Sequence, residues 1–203
     1  MFDNDRNFME SEKLTKWMRF IFDNAIKHGW HDHPLSKEHY MGLIMTEMAE
    51  AVEADRHDRR ALTQEFIDAL ESLDKNPLST SDENFKNYQF MELYRTFIKG
   101  TIEEEFADVV TRILDMAWEL HGEKMVWRGY CDYGENFNES KSFVENAWIF
   151  LKEILESGTM NISDSVSYMY AWSDWLEIDL DKHIEWKMHY NELREYKHGG
   201  KKY

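Results

Sequence analysis

Thr101-Ile102-Glu103-Glu104-Glu105-Phe106-Ala107-Asp108-Val109-Val110-Thr111-Arg112-Ile113-Leu114-Asp115-Met116-Ala117 is the stretch from which the rest of the chain is read. Its opening Thr-x-x-Glu has the form of a capping box, in which a hydroxyl and a carboxylate satisfy the unpaired N–H groups of a helix start. Apolar residues then recur at the helical period. The pattern predicts a helix from Thr101 to about His121. Glu103 and Glu104 point away from its apolar stripe and suit the positive end of the helix dipole. Glu105 and Asp108 share a face with Val109, Arg112 and Met116, because side chains three and four apart lie one above the other.

The same arrangement occurs upstream in Leu43-Ile44-Met45-Thr46-Glu47-Met48-Ala49-Glu50-Ala51. On a helix Glu47 and Glu50 lie about 60° apart, in the sector of Leu43, Ala51 and Ala54, while Glu53 points away. A buried carboxylate takes up a proton or finds a partner. Two acidic pairs on apolar stripes leave two readings open. Each acid pairs with a base such as Arg56 or Arg112, or is solvated at a helix edge. Alternatively, the four converge on a hard divalent cation, and Mg²⁺ favours carboxylates, water and phosphate oxygen.

Further out, the chain reads as helical almost throughout. Leu14, Trp17, Met18, Ile21, Phe22 and Ala25 mark a first helix, with Gly29 after it. Pro34 and Ser36 mark a turn and a cap before a second helix over about 38–56. Leu62, Phe66, Leu70 and Leu73 mark a third, residues 76–81 a loop, and Phe85 to Phe97 a fourth helix ended by Gly100. Residues 122–138 read as a loop. Further helices are predicted over about 139–156, over 164–175 with Ser163 as cap, and over 179–197. Only 9 Gly and 2 Pro punctuate 203 residues, too few for a sandwich of short strands. The fold class is all-α.

Composition narrows function. The chain has 24 Lys+Arg against 40 Asp+Glu, a formal charge of -16, which repels the phosphates of long nucleic acid. No run of apolar residues suffices for a membrane span, and the acidic, polar N-terminus is unlike a signal peptide, so a soluble, cytoplasmic protein is expected. Cys131 is the single cysteine, which excludes an intrachain disulfide and a cysteine-based zinc site. No P-loop is present. A di-iron bundle wants two Glu-x-x-His motifs, and one is found, Glu195 to His198. His31-Asp32 and His57-Asp58 are the adjacent pairs an HD-type phosphohydrolase would need, but both fall at loop or helix-end positions.

The wording around the acidic pairs carries a resemblance. His28-Gly29-Trp30-His31-Asp32-His33-Pro34 with Leu43 to Arg56, then Glu103 to Ala117, and finally Ile184-Glu185-Trp186-Lys187-Met188-His189-Tyr190-Asn191-Glu192-Leu193-Arg194 with His198 to Tyr203, resemble the MazG-like nucleotide pyrophosphohydrolases in order. The resemblance implies an all-α NTP pyrophosphatase fold and cleavage of a nucleoside triphosphate between the α and β phosphates. It implies Mg²⁺, with Mn²⁺ as a substitute, on Glu47, Glu50, Glu105 and Asp108, and assembly as a homodimer or higher homo-oligomer. Glu47 or Glu50 would orient the attacking water. No Pro- or Gly-rich linker divides the chain, which gives one domain over 1–203, and the resemblance implies insertions at about 58–99 and 122–177 relative to the compact pattern.

Lys187, Asn191 and Arg194 recur at four and three residues and form one stripe of the last helix. Lysine and arginine suit phosphate oxygens, and asparagine suits a base edge or sugar hydroxyl. Trp30 is read as a core residue rather than a base-stacking one, and Lys201 and Tyr203 as a tail over the nucleotide. The rival from another class is a non-catalytic acidic helical module that binds a basic protein. It requires neither converging carboxylates nor the Lys187, Asn191 and Arg194 stripe.

Overall fold

The helix that opens at Thr101 is the axis of the structure. The computed structural model describes residues 4–76, 81–127, 137–156 and 162–200. The described residues form α1 (Asn4–Lys27), α2 (Lys37–Arg56), α3 (Thr63–Asp74), α4 (Glu83–Phe97), α5 (Ile102–His121), α6 (Phe143–Glu156), α7 (Ile162–Trp175), α8 (Leu180–Glu192) and the short α9 (Lys197–Gly200), with a 3-10 turn at Gly122–Lys124. The fold is all-α, with no strand among the described residues, and no described helix is long and apolar enough to cross a membrane.

Every residue of α5 from Ile102 to Ala117 except Arg112 is buried. A helix covered on all sides is a core helix rather than a surface one. Its cover comes from α1 and α2 on one side and from α6, α7 and α8 on the others. Leu14, Trp17 and Met18 of α1, Tyr40, Ile44 and Met48 of α2, Phe150 of α6, Trp172 of α7 and Ile184 of α8 join its Phe106, Val110 and Leu114 in one apolar cluster. The stretch 58–99 folds as the α3–α4 pair around a second cluster, Phe66, Phe90, Tyr94 and Ile98, closed by Tyr190 of α8. The stretch 122–177 supplies the 3-10 turn, α6 and α7.

Local chemistry explains the boundaries. The Thr101 hydroxyl accepts from the Glu104 N–H at 3.3 Å, and the Glu104 carboxylate accepts from the Gly100 N–H at 2.5 Å. Ser36 caps α2 by accepting from the His39 N–H. Four expectations need correction. The sixth helix starts at Phe143, not 139, because Ser142 and Glu145 form their own reciprocal cap, the Ser142 N–H donating to Glu145 at 2.9 Å and the Glu145 N–H to the Ser142 hydroxyl at 3.3 Å. Ser163 is buried within α7, which already begins at Ile162. The expected loop over 122–138 begins with a 3-10 turn. The last long helix ends at Glu192, so Arg194 lies beyond it and is not part of a helical stripe. Cys131, Lys201, Tyr203 and most of the loop expected at 76–81 lie outside the described residues.

Candidate functional site

The buried face of α2 meets the N-terminal half of α5, and the acids of both helices arrive together. Glu47, Glu105 and Asp108 each present a carboxylate oxygen, and the three atoms lie within 4.8 Å of one another. Glu50 is exposed and stands outside that group of three. It lines the same cleft. The cleft has a volume of about 760 Å³ and is walled by α1, the α1–α2 loop, α2, α5 and the end of α8, within the range of small-ligand sites. Glu47, Glu50, Glu105, Asp108, Lys187, Asn191 and Arg194 all line it.

The acids are unequally compensated. Arg112 Nε donates to Glu47 Oε1 at 2.9 Å. Lys187 Nζ, on α8, lies 2.5 Å from Asp108 Oδ2 and 2.7 Å from Glu104 Oε1. The other partners named at the sequence level separate cleanly, since Arg56 pairs with Glu53 at the exposed end of α2. Among the described residues Glu105 has no such cation, and its Oε2 is buried without a hydrogen-bond partner. Burial, then Asp108, Glu104 and Glu50, push its carboxyl up to about 9. Burial and Asp108 also raise Glu47, against Arg112. Burial would lower the Lys187 ammonium, but Asp108 and Glu104 outweigh it and hold the group above its ordinary range.

Two cations, Arg112 and Lys187, thus face four buried carboxylates, those of Glu47, Glu104, Glu105 and Asp108. The formal excess is that of one divalent cation. The donor set is all hard oxygen, and the orphaned Glu105 oxygen supplies a free position, so the residues fit Mg²⁺ or Mn²⁺.

The polar wall comes from the chain's end. Lys187 is almost wholly buried on α8. Asn191 Oδ1 is buried and makes no hydrogen bond. The Arg194 guanidinium lies 5.7 Å from the Tyr190 ring centre, and burial lowers its pKa. A strap then ties this wall to the α1–α2 loop. The Arg194 carbonyl is 2.8 Å from His28 Nε2, and the Lys197 N–H donates to the His28 carbonyl at 3.0 Å. The Tyr196 hydroxyl donates to Asp32 at 2.6 Å. The Tyr196 ring occupies the place of a side chain at Gly29, where a Cβ would come within 2.3 Å of it, and Gly29 has φ +79°. That close approach is what requires glycine there.

Trp30, expected in the core, lines the cleft instead and belongs to neither apolar cluster. His31, read at a loop position, has its side chain buried. Its buried ring hydrogen-bonds Asp115 at 3.0 Å, beside Glu119 at 3.8 Å. Burial would lower its pKa, but the Asp115 hydrogen bond and both acids raise it. His57 contacts Glu53 at 2.8 Å. Glu104 was missed as a cleft residue. Its capping-box position and the presence of Lys187 in an acid-rich chain were the available signals. Glu103 likewise points inward, gripping Arg60 at 2.6 Å and the Ala61 N–H at 2.9 Å.

Comparison with family models, with curated proteins and with solved structures finds no match to this chain. The geometry of the cleft therefore carries the functional reading.

Proposed function

We propose that this chain is a Mg²⁺-dependent nucleoside triphosphate pyrophosphohydrolase that converts (d)NTP and water into (d)NMP and pyrophosphate. The observation that supports it is the convergence of Glu47, Glu105 and Asp108 within 4.8 Å, in a cleft that Lys187, Asn191 and Arg194 also line, with Lys187 in contact with Asp108. Glu47, Glu105 and Asp108 are the residues that would hold the cation. Bound there, it would neutralise phosphate oxygens and make a nearby water more acidic.

The chain's own groups do the rest. Glu50 is exposed at the rim of the cleft, in position to accept a proton from the attacking water. Glu47 is held in place by Arg112, which suits it to a cation ligand rather than to the group that receives the water's proton. Water oxygen bonds to the α-phosphorus, the bond from that phosphorus to the bridging oxygen breaks, and the electron pair leaves on pyrophosphate. Lys187 and Arg194 place positive charge where negative charge builds up. The unpartnered Asn191 Oδ1 accepts from a hydroxyl or amino group of the nucleoside. We assign the protein to control or cleaning of the nucleotide pool, and we propose that it acts as a homodimer or larger homo-oligomer in the cytoplasm.

An acidic module that binds a basic protein has no need of carboxylates that converge beneath the surface, and the buried cluster favours the enzyme. The test is a hydrolysis panel of each common NTP and dNTP with Mg²⁺, reading pyrophosphate and orthophosphate separately. Pyrophosphate with nucleoside monophosphate is the expected result. Orthophosphate alone, or silence together with no thermal stabilisation by Mg²⁺, overturns the proposal.

A further inference from the structure

Two cations stand at the mouth of the cleft that the acidic motifs do not account for. Arg59 and Lys99 both line it, and both come from the stretch 58–99 that joins the two acidic helices. Their backbones are fixed at the start of α5. The Arg59 carbonyl accepts from the Ile102 N–H at 3.1 Å, and its own N–H donates to the Ala54 carbonyl at 2.9 Å. The Lys99 N–H donates to the Tyr94 carbonyl at 3.0 Å, and Gly100 follows at φ +76°, with Arg59 Nη1 3.8 Å from where its Cβ would stand.

Tyr190 connects them to the polar wall. Its ring is buried and stacks on Tyr94 with centroids 4.3 Å apart. Lys99 Nζ lies 5.9 Å and the Arg194 guanidinium 5.7 Å from the centre of that ring. Lys187 Nζ lies 5.8 Å from the same centre, so one buried aromatic has three cations from different parts of the chain beside it. Arg112, Lys187 and Lys197, which also line the cleft, are engaged by Glu47, by Glu104 and Asp108, and by Asp32. Among the described residues, Arg59, Lys99 and Arg194 have no carboxylate within 4.0 Å. Glu53, whose charge Arg59 feels, is held instead by Arg56 and His57. In a chain with 40 acids to 24 Lys and Arg, three cations without an ion pair line one cleft, and a multiply charged anion can pair with all three.

We propose that Arg59, Lys99 and Arg194 form a subsite for the outer phosphates of a polyphosphate chain, so that the 58–99 segment selects triphosphates over shorter phosphates. The substrate rests on the pyrophosphohydrolase reading; the anion site rests on these residues alone. Guanidinium and ammonium groups recognise phosphate oxygens by charge-assisted hydrogen bonds, and losing one costs roughly tenfold in affinity.

The probes are inorganic tripolyphosphate and orthophosphate, titrated calorimetrically into the full chain at fixed Mg²⁺. Wild type binds tripolyphosphate more tightly than orthophosphate. The double variant R59Q/K99Q, changed at two exposed positions, keeps its melting temperature and loses roughly a hundredfold in tripolyphosphate affinity, with orthophosphate binding little changed. R59K/K99R, which restores both charges, recovers most of the loss. Equal tripolyphosphate affinity in wild type and R59Q/K99Q overturns the subsite, as does a wild type that does not bind tripolyphosphate. A protein that binds tripolyphosphate through these residues but hydrolyses no nucleotide keeps the subsite and loses the pyrophosphohydrolase reading. One that releases pyrophosphate with the same KM in both forms does the reverse.

Discussion

Replacing Glu105 by Gln separates what an uncompensated buried carboxylate costs the fold from what it does for a cation. Glu105 is buried with one oxygen unpartnered, and its carboxyl titrates near 9 rather than at its ordinary 4.5. With a raised pKa the folded state keeps the proton longer than the unfolded state. The contribution of this group to stability is therefore complete below pH 4.5 and is lost progressively as pH rises towards 9. At pH 7.5, three pH units into that window, the ceiling is about 4 kcal/mol at ~1.36 kcal/mol per unit. Water entering the open cleft solvates part of the charge, and about 2 kcal/mol is the expected loss. Glutamine has the shape of the protonated acid and removes the loss. In EDTA at pH 7.5, Glu105→Gln should melt about 4–8 °C above wild type for a chain of this size, and the gap should close by pH 5. Added Mg²⁺ reverses the order, because wild type gains about 2.7 kcal/mol at a hundredfold excess over Kd and the variant does not. Thermal unfolding monitored by circular dichroism, with EDTA or Mg²⁺ at the two pH values, reads all four arms. A variant that melts below wild type by the same margin at both pH values in EDTA would refute the electrostatic argument. Equal Mg²⁺ stabilisation of both proteins would remove Glu105 from the cation's donors.

Three further outcomes are expected. Lys187→Met leaves Glu104 and Asp108 buried without their cation and should cost about 3–5 kcal/mol in urea unfolding; a loss under 1 kcal/mol would mean that these acids are hydrated. Glu50→Gln, at an exposed position, should leave the melting temperature unchanged while lowering kcat about 10²–10⁴-fold, and an unaltered kcat would discard Glu50 as the proton acceptor. His183 is held down to about 4 by burial, so its share of stability is present above pH 6.5 and is lost as pH falls to 4. That loss reaches about 3 kcal/mol; His183→Leu should flatten this limb of the stability–pH profile, and an unchanged slope would place the imidazole in water.

Much of the fold could be read from local signals. The Ser36 and Thr101 caps and the apolar period placed α2 and α5 to within a residue, and the two acidic pairs pointed to the helices that meet. What failed was the assumption that a residue off the apolar stripe faces water. On α5 that is untrue, because α8 and the turn before α3 cover the opposite face, and Glu103 and Glu104 are as buried as Glu105. Whether a helix has one covered face or all faces covered is decided by how many other elements pack on it, which no local pattern encodes. The same limit hid His31, whose partner Asp115 is 84 residues away. Arg194 shows the complementary case. Its periodic spacing from Lys187 suggested a helix that stops at Glu192, yet the turn that follows still leads the side chain to the same cleft.

Lys187 follows Glu104 by 83 residues, which sets an order on synthesis. The carboxylates of α5 emerge from a ribosome long before the ammonium that compensates Glu104 and Asp108. Until α8 docks, burying those acids leaves them without their counter-charge, so the α1–α2–α5 region gains by keeping this surface hydrated. The strap from Arg194 to Lys197 closes on His28 and Asp32 across most of the chain's length, a contact whose loop-closure cost is met only once the intervening helices are in place. A nascent or truncated chain lacking α8 thus has the acids of the cleft without the ammonium that compensates them.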